Sequence, residues 1–209
     1  MPGGALPPIP PFELSYGLDS HKKVEPDAFM VAPRGERVVV TFASESDIDS
    51  CYVCSLDRHG RVREATRVLA CFSRSLCAGT VLYGVRLEGD DRSCTVVCED
   101  ILWLRGAKVD RAPLRDKIRM WKTLFERDLP RPPSRRYIDI SLPVWAHDRT
   151  MVTRRSTDAS HAKFTCANLP LSTFADASCG VYAVRFVSTR SMFVDTPSVP
   201  DARIRWCAV

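Results

Sequence analysis

The sequence lacks any apolar run long enough to cross a lipid bilayer. No segment approaches the ~20 consecutive apolar residues that a transmembrane helix needs. The first residues, MPGGALPPIPPFEL, contain neither the basic segment nor the apolar segment of a secretory signal. We therefore expect a protein without membrane association that resides in the cytoplasm or the nucleus.

Sequence signatures of common enzyme classes are also missing. The chain contains no GxxxxGK[ST], GxGxxG, HExxH or GxSxG motif. Its four histidines lack the spacing of metal ligands, and the adjacent pair His147 and Asp148 is too weak a signal to name a catalytic dyad. The sequence therefore predicts no metal and no cofactor.

The nine cysteines are an odd number and are scattered through apparent strands, unlike the framework of a disulfide-rich protein. Cys51 and Cys54 have the zinc-like spacing CxxC. They lie in the alternating run CYVCSL, where a strand would hold the two sulfurs on opposite faces. Most of the cysteines are therefore expected to be buried free thiols.

The composition is that of a globular protein, with 45% hydrophobic and 26% charged residues. We expect a proline-rich flexible arm over residues 1–11 and a single domain over residues 12–209. The net charge of +5 suits a phosphate-bearing ligand, although a compositional bias toward arginine, alanine and valine explains it equally well.

Alternating apolar runs separated by turn residues predict a meander of antiparallel strands in the first half of the chain. The runs are FMVAP, RVVVTF, CYVCSL, VREATRV, TVLYGVRL and CTVVCEDILWL. A second group follows, YIDISLPVW, VYAVRFVS, MFVDT and RIRWCAV. Between the groups, residues 112–125 carry the apolar spacing of one helix, with Pro113 in its first turn and Trp121 on its core side. The fold class expected from these patterns is α+β, one domain of two antiparallel sheets with one main helix.

Three segments resemble the nucleotide site of capping guanylyltransferases and nucleic-acid ligases. Residues 32–38, APRGERV, are similar to the pattern Lys-x-Asp-Gly-x-Arg, with the glycine and arginine in place. Residues 79–85, GTVLYGV, are similar to the strand T-x-L-D-G-E. Residues 95–106, followed by Pro-Leu-Arg at 113–115, are similar to F-x-x-x-D-I-L-x-x-x-G and P-L-x-x-R. The resemblance implies a nucleotidyltransferase-like fold and a nucleotide pocket.

The chain departs from that family at the catalytic positions. Ala32 stands where the family has its nucleophilic lysine, and Tyr83 and Val85 replace the acidic residues of its third motif. Because a methyl group cannot act as an amine nucleophile, the covalent chemistry is expected to be lost. This combination resembles the snurportin cap-binding domain, which has a related fold and holds a methylated cap.

Nearly the whole chain also resembles a family of proteins from nucleocytoplasmic large DNA (giant) viruses. The resemblance rests on residues 12–16, FELSY, on residues 21–24, HKKV, and on the GTVLYG and EDILW motifs. It implies a viral setting rather than an activity. Because such viruses transcribe capped messages in the host cytoplasm, we expect a protein of the host cytoplasm with capped mRNA and translation-initiation proteins as partners.

A 7-methylguanosine cap needs electron-rich aromatic faces, a carboxylate for the guanine N–H groups and basic side chains for the phosphates. Period-two alternation over VVCEDILWL predicts that Glu99 and Trp103 share a face, with Asp100 opposite. The alternative is that neither residue binds a ligand, with Trp103 packed in the core and Glu99 at a solvated edge. The full set of predicted cap-binding residues is Trp103, Glu99, Tyr83, Phe42, Trp145, Arg37, Lys22, Lys23 and Arg105.

The sequence predicts non-catalytic binding of the mRNA 5′ cap in viral translation or mRNA control. Two other functions stay open. The first is an active guanylyltransferase or ligase-like enzyme that uses a displaced lysine such as Lys22 or Lys23. The second is a structural virion protein in which side chains fill the old pocket.

Overall fold

The computed structural model describes residues 9–12, 28–33, 35–88, 94–143, 145–146, 181–187 and 205–208. Within these residues the protein is mixed α+β, with one seven-stranded sheet and a single main helix. The elements in chain order are β1 (Ala28–Pro33), β2 (Glu36–Glu45), β3 (Ile48–Leu56), β4 (Val62–Val68), β5 (Val81–Glu88), β6 (Cys94–Leu104), β7 (Ala107–Lys108), α1 (Leu114–Thr123), β8 (Asp139–Ser141), β9 (Trp145–Ala146), β10 (Val181–Val187) and β11 (Arg205–Ala208).

The chain divides into two compact units. The first comprises Met1–Glu13, Gly35–Arg111 and Thr123–Ser141, and the second comprises Leu14–Arg34, Ala112–Lys122 and Leu142–Val209. The expectation of one domain over residues 12–209 stays a prediction beside this division. No helix among the described residues is long and apolar enough to cross a membrane.

The seven-stranded sheet of the first unit has the order β4-β3-β2-β5-β6-β7, and β8 also pairs with β6. Two hairpins open it. Ser46 and Asp47 join β2 to β3 with φ values of 48° and 66°, as a type I′ turn requires. Residues 57–61 join β3 to β4, and Gly60 has a φ of 77°, which confirms the predicted hairpin with glycine in a positive-φ position.

The predicted meander is wrong after β4. Instead of pairing with β4, β5 returns to lie beside β2, so that strands β2 to β5 form a Greek key. The burial of the strands explains this order. Charged residues such as Arg63 and Arg67 are exposed along β4 and suit a sheet edge. In contrast, residues 38–43 of β2 are all buried and suit the sheet interior.

The expectation of purely antiparallel sheets is wrong for β8, because this strand runs parallel to β6. The predicted strand YIDISLPVW is also broken into β8 and β9 around Pro143, which has no backbone N–H to donate to a ladder.

In the second unit, β1 pairs antiparallel with β9 and β10, and β10 pairs antiparallel with β11. The predicted strands FMVAP and RVVVTF therefore belong to different sheets. The predicted strand MFVDT and the polar segment 149–162 lie outside the described residues.

The predicted helix is confirmed as α1, and a wider π turn, Leu124–Asp128, continues it. Pro113 precedes the first helical residue, and its carbonyl accepts the N–H groups of Asp116 and Lys117. Trp121 is 3% exposed, as expected for the core side. The helix pattern did not foresee the burial of Lys117, which is 5% exposed.

Candidate nucleotide-binding face

Two β-bulges interrupt the pairing of β6 with β5. Val81 opposes Trp103, Leu82 opposes Ile101, Tyr83 opposes Asp100 and Gly84 opposes Cys98. The ladder therefore passes over Leu102 and Glu99, which are the additional residues of the bulges. Each bulge resets the alternation of β6, so period-two counting fails between Cys98 and Trp103.

The bulges change which acid shares a face with Trp103. Directly opposed residues of neighbouring strands project from the same side of a sheet. Because Asp100 opposes Tyr83 and Trp103 opposes Val81, residues two apart on β5, Asp100 and Trp103 lie on one face. The prediction that Asp100 lies on the opposite face from Trp103 is wrong, because simple alternation does not hold across two bulges. Glu99 is unpaired at its bulge, so the register assigns it to neither face and its predicted place beside Trp103 stays a prediction.

We call this side of the sheet the mixed face, because each of three successive cross-strand rows carries polar side chains. The first row contains Thr41, Val81 and Trp103, and the second contains Val39, Tyr83 and Asp100. The third contains Arg37, Val85, Val97 and Ser141. Tyr83 and Trp103 are thus diagonal neighbours on two strands, a relation that brings Cα atoms within about 7–8 Å.

The opposite side of the same strands, which we call the apolar face, is almost entirely hydrophobic at its centre. Seven of its apolar side chains are at most 3% exposed: Val38, Val40, Phe42, Val53, Leu82, Cys98 and Ile101. Phe42 packs there against Phe72, with ring centroids 4.8 Å apart and an interplanar angle of 49°. Phe42 was predicted as a second stacking surface for a cap. The register instead places it on the apolar face, on the other side of the sheet from Tyr83 and Trp103.

Gly84 fits where the bulge brings β6 close to β5. A methyl group at this position would overlap the carbonyl oxygen of Val97. Gly35, at the start of β2, is similarly confined by the carbonyl oxygen of Arg86. Gly35 and Gly84, two of the glycines in the motifs that resemble nucleotidyltransferases, therefore have a packing reason in this chain.

Trp103 is more accessible to solvent than Tyr83. Its side chain is half-buried, and its Nε1–H donates to the carbonyl oxygen of Pro11 at 3.2 Å. A half-exposed indole presents ring surface that can pack against a base or against a segment of its own chain. A purely structural role in the core therefore fits half-buried Trp103 less well than it fits Trp121, which is 3% exposed.

The other members of the mixed face are more deeply buried. Tyr83 is 4% exposed and Asp100 is 8% exposed. Asp100 accepts the backbone N–H of Ile101 on Oδ1 at 2.7 Å. The Oγ of Ser141 is buried with no hydrogen-bond partner in the part of the chain that the structure describes. Since buried polar atoms normally have partners, this hydroxyl is a point at which a polar ligand group could bind.

Glu99, the predicted reader of the guanine edge, is 6% exposed at its bulge. The alternative of a solvated edge position is therefore wrong. Two adjacent acidic side chains, Glu99 and Asp100, are therefore buried in β6. Burying a carboxylate costs free energy, so this arrangement is unfavourable for folding by itself.

Arg37 and Arg105, both predicted to contact phosphates, have protein partners. Arg37 is half-buried and donates from Nη2 to the carbonyl oxygen of Asp57 at 2.8 Å. Arg105 places Nη2 2.5 Å from Oδ2 of Asp128, whose side chain is 5% exposed. Each arginine therefore connects its strand or turn to a distant segment of the first unit. A phosphate would have to share these contacts or displace them.

A polar network surrounds the Arg105 ion pair. Asp128 also accepts from the hydroxyl of Ser75 at 3.0 Å, and the N–H of Arg105 donates to Oγ1 of Thr80 at 3.1 Å. Arg105 and Gly106, with φ values of 49° and 82°, form the two-residue turn between β6 and β7. No sequence pattern pointed to Asp128 in this role, because its partners are 23 and 53 residues away.

Trp145 lies on β9 of the second unit, opposite Met30 of β1. Lys22 and Lys23 lie outside the described residues.

The cysteines of the sheet follow the alternation expected for β3. Cys51 opposes Phe42 on the apolar face and Cys54 opposes Val39 on the mixed face, which confirms that the two sulfurs lie on opposite sides. Burial raises the pKa of the Cys54 thiol to about 11, and it raises the pKa values of Cys51 and Cys98 further still. No group of three or more possible metal-ligating side chains occurs within the described ranges.

The sequence matches no protein-family model, and no curated protein is significantly similar to it. The resemblances to nucleotidyltransferases, to the snurportin domain and to viral proteins therefore stay predictions.

Proposed function

We propose that this protein binds the 7-methylguanosine cap of mRNA without catalysing a reaction on it. The observation that carries the proposal is the cross-strand register that brings Tyr83, Asp100 and Trp103 to the mixed face. An aromatic pair beside a carboxylate is the combination that a positively charged guanine base requires.

Trp103 is the entry point of the proposed site because it is the half-exposed member. Its indole would stack on the methylated base, with Tyr83 as the second aromatic side chain. Asp100 would accept the guanine N–H groups, a role that the sequence had suggested for Glu99. Arg37 and the hydroxyl of Ser141, which share a row, would contact the ribose or the phosphates.

The absence of catalysis is part of the proposal and rests on Ala32, which lies in β1 at the position of the family's nucleophilic lysine. On this account the fold is a degenerate relative of the guanylyltransferase and snurportin fold. The setting we propose is viral control or initiation of translation in the host cytoplasm.

The direct test is a tryptophan-fluorescence titration of the full chain with 7-methyl-GTP and with GTP. We expect at least ~10-fold tighter binding of the methylated ligand, since ~1.4 kcal/mol of cation–π stacking is enough for that ratio. Trp103→Ala should lose this preference, whereas Trp121→Phe, which changes a buried indole of α1, should retain it. Equal affinity for the two ligands, or binding by neither, would contradict a cap-binding function.

The burial of the mixed face favours a second candidate, a structural protein in which the pocket is filled. Tyr83 and Asp100 are 4% and 8% exposed, and Trp103 already has a contact with its own chain. This function predicts no change in the thermal unfolding temperature with any capped or uncapped nucleotide. A stabilising shift with 7-methyl-GTP would exclude it.

A further inference from the structure

The proline-rich segment at residues 9–12 lies against the seven-stranded sheet. It belongs to the same compact unit as that sheet. Its anchor is the hydrogen bond from the indole Nε1–H of Trp103 to the carbonyl oxygen of Pro11, at 3.2 Å. The two residues are 92 positions apart, so the contact is a tertiary one.

The chemistry of this contact is that of proline-rich peptide recognition. Proline has no backbone N–H and a fixed φ, so an Ile-Pro-Pro segment is held extended and offers carbonyl acceptors. Aromatic surfaces with a polar donor read such segments, because an extended proline helix loses little conformational entropy when it docks. Trp103 supplies both the aromatic surface and the donor.

The burial of the segment agrees with docking along one side. Ile9, Pro10 and Phe12 are partly buried, whereas Pro11 is exposed and its carbonyl group accepts the indole N–H. A polyproline helix has three residues per turn, so Ile9 and Phe12 project from the same side. These two apolar side chains can therefore face the protein together while Pro11 faces solvent.

We propose that the surface around Trp103 is a docking site for an extended proline-rich segment, and that residues 9–12 of this chain are its occupant. The docked segment engages the indole that the proposed function assigns to the methylated base. It therefore competes with the cap for Trp103 and lowers the apparent affinity by the fraction of molecules in which it is docked. This competition rests on the proposed function, whereas the docking does not.

The docking is tested on the full chain labelled with ¹⁵N, through the indole N–H resonance of Trp103. Trp103→Phe keeps an aromatic ring and identifies that resonance by its disappearance. Replacing residues 9–12 by glycine keeps the chain length but removes both the apolar side chains and the stiffness of the prolines. We expect the Trp103 resonance to move and its hydrogen exchange to accelerate at least ~10-fold, as for a site that opens.

A matched control replaces Pro130 and Pro133, two exposed prolines of the same unit, by glycine. This control should leave the Trp103 resonance where it is in the unaltered chain. A synthetic peptide of residues 5–14, ALPPIPPFEL, added to the glycine variant should restore the original resonance position. An unchanged resonance in the glycine variant, or no restoration at millimolar peptide, would overturn the docking.

Titration of the same variants with 7-methyl-GTP separates this inference from the proposed function. Tighter binding by the glycine variant than by the unaltered chain supports competition at Trp103. If neither binds the ligand, the cap function fails while the resonance data still decide the docking. If both bind equally although the resonance has moved, the competition is refuted.

Discussion

The two faces of the seven-stranded sheet differ in what they bury. The centre of the apolar face consists of side chains such as Val40, Leu82 and Ile101, while the mixed face interleaves valines with Tyr83 and Asp100. Both faces are excluded from solvent at their centres. Burial on the apolar face is explained by hydrophobic packing alone, whereas burial of a carboxylate and hydroxyl groups needs a further reason.

This contrast between the two faces depends on the bulges of β6, which bring Asp100 and Trp103 to the mixed face. Without them, Asp100 would lie on the opposite side from Trp103. Bulges commonly redirect a side chain beside a functional site. The comparison can be sharpened by changing one face at a time and measuring stability and ligand binding separately.

The largest effect is expected from Leu82→Ala on the apolar face. Leu82 is fully buried, so the substitution removes hydrophobic transfer energy and leaves a cavity. We expect the free energy of unfolding to fall by about 2–5 kcal/mol, measured by urea denaturation. Affinity for 7-methyl-GTP at a temperature where the variant is folded should stay within about 2-fold of the unaltered chain. A selective loss of binding with unchanged stability would break the division of roles between the faces.

A smaller loss of stability is expected from Gly84→Ala, which tests the bulge itself. The added methyl group would overlap the carbonyl oxygen of Val97, so β5 and β6 would have to separate. We expect a cost of about 1–3 kcal/mol in the free energy of unfolding, together with weaker binding, because Asp100 and Trp103 would shift. If the Gly84→Ala variant were as stable as the unaltered chain, β5 and β6 would not approach each other closely enough for the added methyl group to overlap Val97.

Much of this arrangement could be predicted from the sequence. Alternation and turn residues located β5, β6 and the hairpin from β3 to β4, because these signals are local. The Greek key was missed because strand order depends on which strand tolerates an edge. The face of Asp100 was predicted wrongly because a bulge has no signature in VVCEDILWL and exists only in the pairing with β5. The partners of Arg105 and Trp103 were missed because they are distant in the sequence.

The smallest perturbation is thiol labelling, which compares the faces without a substitution. Burial raises the pKa of Cys54, on the mixed face, to about 11, and raises those of Cys51 and Cys98, on the apolar face, further. Because the thiolate is the reactive form, iodoacetamide should label half-buried Cys71 first, Cys54 more slowly and Cys98 last. The labelling of Cys54 should accelerate about tenfold per pH unit below its pKa.

Mass spectrometry of peptides from the native protein resolves these rates residue by residue. Labelling of Cys98 as fast as that of Cys71 would show that the apolar face opens readily. The contrast between the two faces would then be lost.

The most direct test of the account compares two neighbouring acids, Asp100→Asn and Glu99→Gln, by calorimetric titration with 7-methyl-GTP. Both substitutions remove one charge and preserve side-chain size, and the amide oxygen introduced by the first can still accept from the N–H of Ile101. We predict that Asp100→Asn weakens binding by about 10-fold or more, the value of a hydrogen bond to a charged group, while Glu99→Gln stays within about 2-fold. Weaker binding by Glu99→Gln with unaltered binding by Asp100→Asn would contradict the assignment of the site to the mixed face.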